Sequence, residues 1–303
     1  MKQILILLFA FSNIGNALVA QNLFNAKSPQ DINKLGVVKD ADGNLVEEVK
    51  KPLDYAYISD RDVMWSTTVW EKIDLSQKLN LPFYFPVDTN SIDVSRRSLF
   101  DALIRGIKTG KITEVYEDDY FTQKISYSEI SNFTSRVDTM DAGLDELNNG
   151  ATSVSTMYLS KQEVKSENVT EFRIKGIWYF DKRIGEMKYR LLAIAPVGEE
   201  LRNPEVIYDT PPDRFELFWV WYPDAREVLY NAKMFNPNNT SFSLSFDDLL
   251  NARRFESTIY KEDNIYGDRA IQDYVKTSAM FQLLEGENIK SRIRDFEIDM
   301  WSY

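Results

Sequence analysis

The side chains that most often carry out catalysis or bind transition metals are missing, because none of the 303 residues is a histidine or a cysteine. Ser-His-Asp and Cys-His catalysis, imidazole or thiolate metal sites and disulfide bonds are therefore excluded. Neither G-x-x-x-x-G-K-[ST] nor G-x-G-x-x-G occurs, so the sequence gives no support for a phosphate-binding loop. We expect no cofactor and no metal site.

Paired carboxylates are the catalytic chemistry that remains, as in glycoside cleavage, where one acid protonates the leaving group and the other acts as base or nucleophile. The densest candidates are Glu117, Asp118 and Asp119, together with Asp247 and Asp248. Adjacent side chains point in different directions, and acids in a first helical turn favour the helix dipole. We therefore interpret these residues as solvated or capping carboxylates.

The start of the chain has the pattern of an export signal. Lys2 precedes an apolar run from Ile4 to Phe11, and small residues lead to Ala17 and Ala20. This pattern predicts a secretory signal peptide over residues 1–20, with cleavage after Ala20 or, as an alternative, after Ala17. No later apolar run approaches the roughly 20 residues of a spanning helix. We expect an exported chain that is water-soluble or held at a membrane through another protein.

The formal net charge is −11, and it becomes −12 when Lys2 is removed with the signal. An acidic surface disfavours nucleic acid and anionic membranes and favours encounters with basic surfaces. About 283 residues (303 minus 20) remain, which is enough for one large or two modest domains with an ordinary core.

Residues 21–50 are polar and predict an extended arm that binds a partner. Within it, two short apolar stretches flank an Asp-Gly turn, which is a strong hairpin signal. The arm offers little burial for its apolar residues, so we predict that they contact a partner; they are Leu35, Val37, Val38, Leu45 and Val46.

A calcium loop is the alternative for this turn, because Asp40, Asp42 and Asn44 alternate. Its glycine, however, is fourth rather than sixth, and position twelve is Lys51 rather than glutamate. A turn is therefore the preferred interpretation.

Residues 51–303 predict a mixed α+β domain with a mixed or antiparallel sheet and packed helices. Helical spacing from Val63 to Leu79 predicts an amphipathic helix that Pro82 ends, followed by an extended segment over residues 83–86. Further helices are predicted over Ser95 to Lys108, around Ser128 with Phe133 and Val137, after the capping residue Ser245, and over Asp268 to Leu284.

Strands are predicted over residues 112–116, 170–180 and 187–195, the last two forming a hairpin. A glycine- and asparagine-bearing break over residues 141–153 predicts a joint between two lobes. A further strand is predicted over residues 215–222. Because both faces of that strand are largely apolar, it is covered on both, either inside the domain or by a partner chain. Phe218 and Tyr222 are accordingly candidate interface residues.

Several longer blocks resemble the gliding-motility GldN/PorN family. They run in family order from about Pro52 to Asp273, and they include Pro52-Leu53-Asp54-Tyr55, Val69-Trp70-Glu71-Lys72-Ile73-Asp74-Leu75, Asn80-Leu81-Pro82-Phe83-Tyr84-Phe85-Pro86, Ile174-Lys175-Gly176-Ile177-Trp178-Tyr179-Phe180-Asp181-Lys182, Phe218-Trp219-Val220-Trp221-Tyr222-Pro223 and Arg253-Arg254-Phe255-Glu256-Ser257-Thr258-Ile259. Gly176 and Gly185 stand where the family is expected to carry bulkier or polar residues.

The resemblance implies a non-catalytic periplasmic subunit of the type IX secretion and gliding machinery. Its partners would be a GldK/PorK-type outer-membrane lipoprotein, a GldM/PorM-type motor protein and further copies of itself within a large ring associated with the outer membrane. Two other classes stay open from the residues alone. One is a periplasmic carboxylate-dependent glycan or peptidoglycan enzyme, and the other is a monomeric binding module.

Overall fold

The computed structural model describes residues 52–87, 96–139, 153–201, 212–234 and 244–301, together with 37–39, 45–47, 143, 145, 148–150 and 210. The chain divides into two compact units, residues 1–50 and residues 51–303. In the first unit, strand β1 (Val37–Lys39) pairs antiparallel with strand β2 (Leu45–Glu47). This pairing confirms the predicted hairpin.

The second unit contains a seven-stranded antiparallel sheet and a separate two-stranded hairpin. The strands of this unit are β3 (Val63–Asp74), β4 (Val115–Tyr116), β5 (Ser135–Thr139), β6 (Leu159–Glu163), β7 (Val169–Asp181), β8 (Glu186–Glu199), β9 (Arg214–Glu216), β10 (Trp219–Trp221) and β11 (Thr258–Glu262). The main sheet has the order β11-β3-β7-β8-β10-β4, with β9 paired to β8, and β5 pairs with β6.

Seven α-helices lie in the described part of the second unit. They are α1 (Leu81–Tyr84), α2 (Leu99–Lys108), α3 (Tyr127–Thr134), α4 (Tyr222–Asn231), α5 (Phe246–Asn251), α6 (Ile271–Tyr274) and α7 (Ala279–Trp301). Together with the antiparallel sheets, they confirm the α+β class.

Helices cover one face of the main sheet. Successive side chains of a strand point to opposite faces, so Val69 and Ile73 share a face and Trp70 points away from them. Ile73 belongs to the main core, which also contains apolar residues of α2, α4 and α5. Val69 packs with Ile289 and Ile293 of α7. On the opposite face, Trp70 lies in a smaller cluster of Ala193, Ala195 and Trp219, beside Tyr116, Phe121 and Tyr260.

The sequence predicted the central hairpin and the start of α5 correctly, whereas α2, predicted from Ser95, begins at Leu99. Strands β7 and β8 pair over nearly their whole length, and the turn between them contains Gly185 at φ 71°, a left-handed conformation that glycine adopts without strain. Ser245 caps α5, since its Oγ accepts a hydrogen bond from Asp248 N at 3.1 Å. Ser98 caps α2 in the same way, through Asp101 N at 3.2 Å.

The largest correction concerns Val63 to Leu79, where the predicted helix is wrong. Residues 63–74 form β3, which pairs with both β7 and β11. The segment is buried on both faces at Val69, Trp70 and Glu71, so the alternation typical of a strand is absent from its sequence. Glu71, which is buried on the helix-covered face, also makes the strand hard to recognise, because a charged residue normally indicates a solvent-facing position.

Three smaller corrections concern where predicted helices and strands begin and end. Pro82 lies in the first turn of α1, where a missing amide hydrogen does no harm, so it begins a helix rather than ending one. The predicted strand over residues 215–222 is divided into β9 and β10, and α4 begins at Tyr222. The predicted helix over residues 268–284 is divided between α6 and α7.

Candidate functional site

The arm residues predicted to bind a partner lie partly within the described structure. Val37 and Val38 are in β1, Leu45 and Val46 are in β2, and Leu35 lies outside the described residues. Val38 and Val46 are directly opposite one another. Their role in partner binding stays a prediction.

Phe218 and Tyr222 lie in the core of the chain itself, and this corrects their assignment as interface residues. Both are fully buried in the main cluster. The apolar character of both faces of residues 215–222 is thus explained within one chain, by the helices on one side and by the smaller aromatic cluster on the other. Neither side chain is available to a partner in this structure.

Four of the five candidate catalytic carboxylates have structural partners. Asp118 accepts from Thr122 N at 2.9 Å, and Asp119 pairs with Lys261 at 2.8 Å. Asp247 pairs with Arg226, and Asp248 forms the capping box of α5 with Ser245. Asp248 confirms the capping interpretation, whereas Asp119 and the buried Asp247 form ion pairs instead. The described residues also contain no group of three or more acidic residues placed to hold a metal ion.

A group of exposed apolar residues lies at the beginning of α7. Met280, Phe281, Leu283 and Leu284 are 76%, 56%, 51% and 55% exposed. We call these four residues the α7 patch. Exposed apolar residues are ordinary when scattered singly, but a contiguous group is typical of a protein interaction site.

The patch arises because only the later part of α7 packs firmly on the sheet. Ile289 and Ile293 are buried against Val69, and Phe296 stacks on Trp65 with ring centroids 4.6 Å apart. Gly286 allows this close approach, since a Cβ there would lie 2.7 Å from the Ile259 carbonyl oxygen. Beside the patch, Phe281 and Leu284 help to line a groove of about 330 Å³.

Sequence reasoning missed the patch, although a signal was present. Apolar residues at positions 280, 281, 283 and 284 fall on more than one side of a helix. A surface helix can bury only one stripe, so part of such a run must remain exposed.

A buried ion pair joins α4 to α5. Arg226 donates to Asp247 through Nε to Oδ1 at 3.0 Å and through Nη2 to Oδ2 at 3.1 Å. The Tyr222 hydroxyl donates to the same Oδ1 at 2.7 Å. Both carboxylate oxygens are thus occupied. Burial and the neighbouring Asp247 charge raise the pKa of Tyr222, so its hydroxyl stays protonated and keeps donating.

Tyr55 completes this group. The Arg226 guanidinium lies 4.3 Å from the centroid of its ring, and its hydroxyl donates to Asn251 Oδ1 at 2.7 Å. Burial raises the pKa of Tyr55 to about 12. The group therefore ties the segment before β3 to helices α4 and α5.

A second buried ion pair joins β3 to the turn after α5. Arg253 Nη2 donates to Glu71 Oε2 at 2.7 Å, and the Ser257 hydroxyl donates to the same oxygen. Glu71 is fully buried. Its other oxygen, Oε1, and Arg253 Nη1 have no hydrogen-bond partner among the described residues.

The backbone places Arg253 where glycine is usual. Arg253 has φ 48°, its N–H bonds to Leu250 O at 3.2 Å, and Arg254 N bonds to Leu249 O at 3.1 Å. These bonds form a Schellman motif, in which this position adopts the left-handed conformation. Arg253 adopts this strained conformation, and its guanidinium lies over the Tyr189 ring, 4.0 Å from the ring centroid.

Glu71 and Arg253 are also among the residues around a cavity of about 230 Å³ between the sheet and α7. We call it the Glu71 cavity. It is lined by Glu71, Trp178, Met187, Arg253, Ile259, Lys290, Ile293, Arg294 and Glu297. Sequence reasoning missed this cavity, because its walls come from distant segments.

Comparison with known families identifies the chain. A family model described as "Gliding motility associated protein GldN" matches residues 58–302. The chain belongs to the GldN family. This match confirms the resemblance and makes the chain a component of the gliding-motility and type IX secretion machinery. The GldN family is not a known enzyme family. No curated protein matches the chain.

The GldN match covers some of the candidate surfaces and not others. The α7 patch and the Glu71 cavity lie inside the matched residues, whereas strands β1 and β2 of the arm lie before them. Within the described residues, no helix has both the length and the apolar character needed to cross a membrane.

Proposed function

We propose that this GldN-family chain is a non-catalytic structural subunit of a periplasmic ring associated with the outer membrane. In this proposal it pairs with a GldK/PorK-type lipoprotein, contacts a GldM/PorM-type motor protein and associates with other copies of itself. The observation that carries the proposal is the GldN match over residues 58–302. The exposed α7 patch supports an assembly role, because it gives this region a surface for a partner.

We assign the α7 patch to the lipoprotein rather than to a second copy. Each exported copy carries a formal net charge of −12, which is −11 less the charge of Lys2, so two copies repel at long range, whereas a partner with a basic surface is attracted. Contacts between copies in a ring require two different patches on each subunit, and these would lie elsewhere.

A native pull-down tests the function and the patch separately. The tagged, exported chain is recovered from envelopes after gentle detergent extraction, and the complex is sized and its members are identified by mass spectrometry. We expect a megadalton particle that contains an outer-membrane lipoprotein. Recovery of the unaltered chain as a lone monomer would overturn the proposed function.

The patch is tested with the double variant Phe281→Ser/Leu284→Ser. Burying one such side chain contributes about 1.5 to 3 kcal/mol, so we expect recovery of the lipoprotein to fall by at least about tenfold. Ile298→Ser is the matched control, since Ile298 is 59% exposed on the same helix but outside the patch. Equal recovery with both variants would remove the patch from the interface and leave the ring function standing.

The arm is tested by deleting residues 21–50 behind an intact signal. We expect a folded protein that no longer enters the complex, because the arm's apolar residues would contact a partner. Normal assembly of this truncation would contradict the role of the arm.

A further inference from the structure

The groove beside the α7 patch combines apolar surface with a single charged side chain. We call it the α7 groove. Phe281 and Leu284 are 56% and 55% exposed, so a partner can reach both side chains. The described residues that line the groove are Val275, Thr277, Phe281, Leu284, Glu285 and Asn288. Glu285 is the one charged residue in this lining.

The folded chain forms both sides of the α7 groove without a partner. Phe281, Leu284 and Asn288 recur at helical spacing and therefore share one face of α7. Opposite them, the segment before α7 is held against the helix, because Gln282 Nε2 donates to Val275 O at 2.9 Å. Val275 also packs on the buried cluster between α7 and the sheet. A side chain that enters the groove thus finds its walls already in place.

The Glu285 carboxylate is held by two neutral donors. The Tyr274 hydroxyl donates to Oε1 at 3.4 Å, and Asn288 Nδ2 donates to Oε2 at 3.2 Å. Charge-assisted hydrogen bonds are usually shorter, about 2.7 to 2.9 Å, and a carboxylate can accept about four hydrogen bonds. The two bonds therefore orient the carboxylate without neutralising it, and each oxygen can accept from a cation as well.

Neighbouring ion pairs do not supply that cation. Arg292 Nη2 donates to both oxygens of Glu262, at 2.8 and 2.6 Å. Lys290 pairs with Glu287 at 2.8 Å. Each of these cations is matched by an acid of its own.

Three further charged residues lie near the α7 groove in sequence and do not line it. Arg269 lies over the rings of two tyrosines, and Asp273 accepts a hydrogen bond from a backbone amide at the start of α6. Lys276 is exposed. The lining itself thus carries one negative charge, which complements a cationic side chain.

We propose that the α7 groove receives an arginine side chain of the partner that docks on the α7 patch. The arginine stem packs on Phe281 and Leu284, and the guanidinium donates to both oxygens of Glu285. Arginine suits this site better than lysine, because its planar guanidinium is weakly hydrated and bonds a carboxylate at two atoms. The inference rests on the proposed assignment of the α7 patch to a partner with a basic surface.

Ligand-observed NMR titration of the exported full-length chain tests the arginine directly. The probes are acetyl-Leu-Arg-Leu-amide, its lysine analogue, and its citrulline analogue, in which an uncharged urea replaces the guanidinium. The flanking leucines offer contacts to exposed patch residues such as Met280 and Leu283. We expect the arginine peptide to bind at least about fivefold more tightly than the citrulline peptide, because only the first brings a charge to Glu285. The lysine peptide should bind with intermediate affinity.

The variant Glu285→Gln locates the binding, and Glu287→Gln is its matched control. Both remove one carboxylate from α7, but Glu287 is exposed and does not line the groove. Glu285→Gln should weaken the arginine peptide by at least about fivefold and reduce the dependence of its affinity on salt. Glu287→Gln should leave both quantities close to those of the unaltered chain. Thermal unfolding checks that both variants are folded.

The native pull-down tests the same site in the complex, with Glu285→Lys compared against Glu287→Lys. We expect Glu285→Lys to lower recovery of the outer-membrane lipoprotein by at least about fivefold relative to its control. Loss of the lipoprotein with Phe281→Ser/Leu284→Ser but not with Glu285→Lys would overturn the arginine site and leave the patch and the ring function standing. The peptide titration needs no ring, so it decides the arginine site even where the proposed function fails.

Three results of the titration would overturn the proposal. They are no detectable binding of the arginine peptide; binding of the lysine or citrulline peptide that is as tight or tighter; and equal weakening by Glu285→Gln and Glu287→Gln. Self-association of the purified chain that Glu285→Lys abolishes would also overturn it, because the groove would then hold a second copy.

Discussion

Two buried arginine–carboxylate pairs among the described residues, Arg226–Asp247 and Arg253–Glu71, have the same chemistry and different surroundings. Around Asp247, Arg226 and Tyr222 occupy both carboxylate oxygens. Around Glu71, Arg253 and Ser257 share a single oxygen, and the other has no hydrogen-bond partner among the described residues. We call the Asp247 pair closed, because both of its carboxylate oxygens are bonded, and the Glu71 pair open, because one of its oxygens is not.

This difference shows that two buried ion pairs of the same composition can differ in how fully they are hydrogen-bonded. A buried charge whose bonds are all made fixes the neighbouring elements. A buried charge with an unbonded oxygen leaves part of its hydrogen-bonding capacity unused. Composition does not reveal the distinction, since each pair is one arginine and one acid.

The largest test of the comparison replaces each carboxylate by its isosteric amide. We expect Asp247→Asn to lower the free energy of unfolding by about 3 kcal/mol, because it breaks a buried pair that is bonded at both oxygens. Glu71→Gln should lower it less, by about 2 kcal/mol, because it leaves the Arg253 charge unpaired but removes no bond at Oε1. Urea unfolding measures both changes. Equal losses would show that the Glu71 pair is closed as well.

A second pair of variants removes one hydroxyl from each group. Tyr222→Phe should lower the free energy of unfolding by about 1.5 to 3 kcal/mol, because the hydroxyl donates to a charged acceptor. Tyr189→Phe should stay within about 0.5 kcal/mol of the unaltered chain, since the Tyr189 hydroxyl has no hydrogen-bond partner among the described residues. Urea unfolding under identical conditions compares them, and a larger loss for Tyr189→Phe would reverse the assignment.

The smallest expected effect is a pH dependence on the closed side. The pKa of Tyr55 rises from 10.0 to about 12 in the folded chain. Because the pKa is higher in the folded chain, the contribution of Tyr55 to the free energy of unfolding is fully present below pH 10 and is lost as the pH rises toward 12. The difference in unfolding free energy between the unaltered chain and Tyr55→Phe should therefore shrink between pH 9 and pH 11.5. A constant difference would show that burial does not hold the Tyr55 proton.

Local signals predicted the parts of the fold that depend on a few neighbouring residues. The hairpin of β7 and β8 followed from alternation and a polar turn, and the start of α5 followed from Ser245 with Asp248 three residues later. The β1–β2 hairpin followed from its Asp-Gly turn. In each case the decisive interactions lie within a short span of sequence.

The functional surfaces could be predicted much less well. Phe218 and Tyr222 have the apolar character of interface residues, but their own domain buries them. Glu71 carries a charge that sequence reasoning assigns to solvent, yet β3 places it beneath α7. The exposure of Phe281 depends on which part of α7 packs on the sheet. The sequence pattern does not show where along the helix that packing begins.

By itself, the sequence determined the absence of imidazole and thiol chemistry, the α+β class, the family resemblance and the acidic character of the surface. These follow from residue types and local order. Only the tertiary structure decided that residues 63–74 are a strand, that the Asp247 pair is closed and that the Glu71 pair is open. The physical reason is that saturation of a buried charge depends on partners far apart in the chain: Glu71 meets Arg253 across 182 residues.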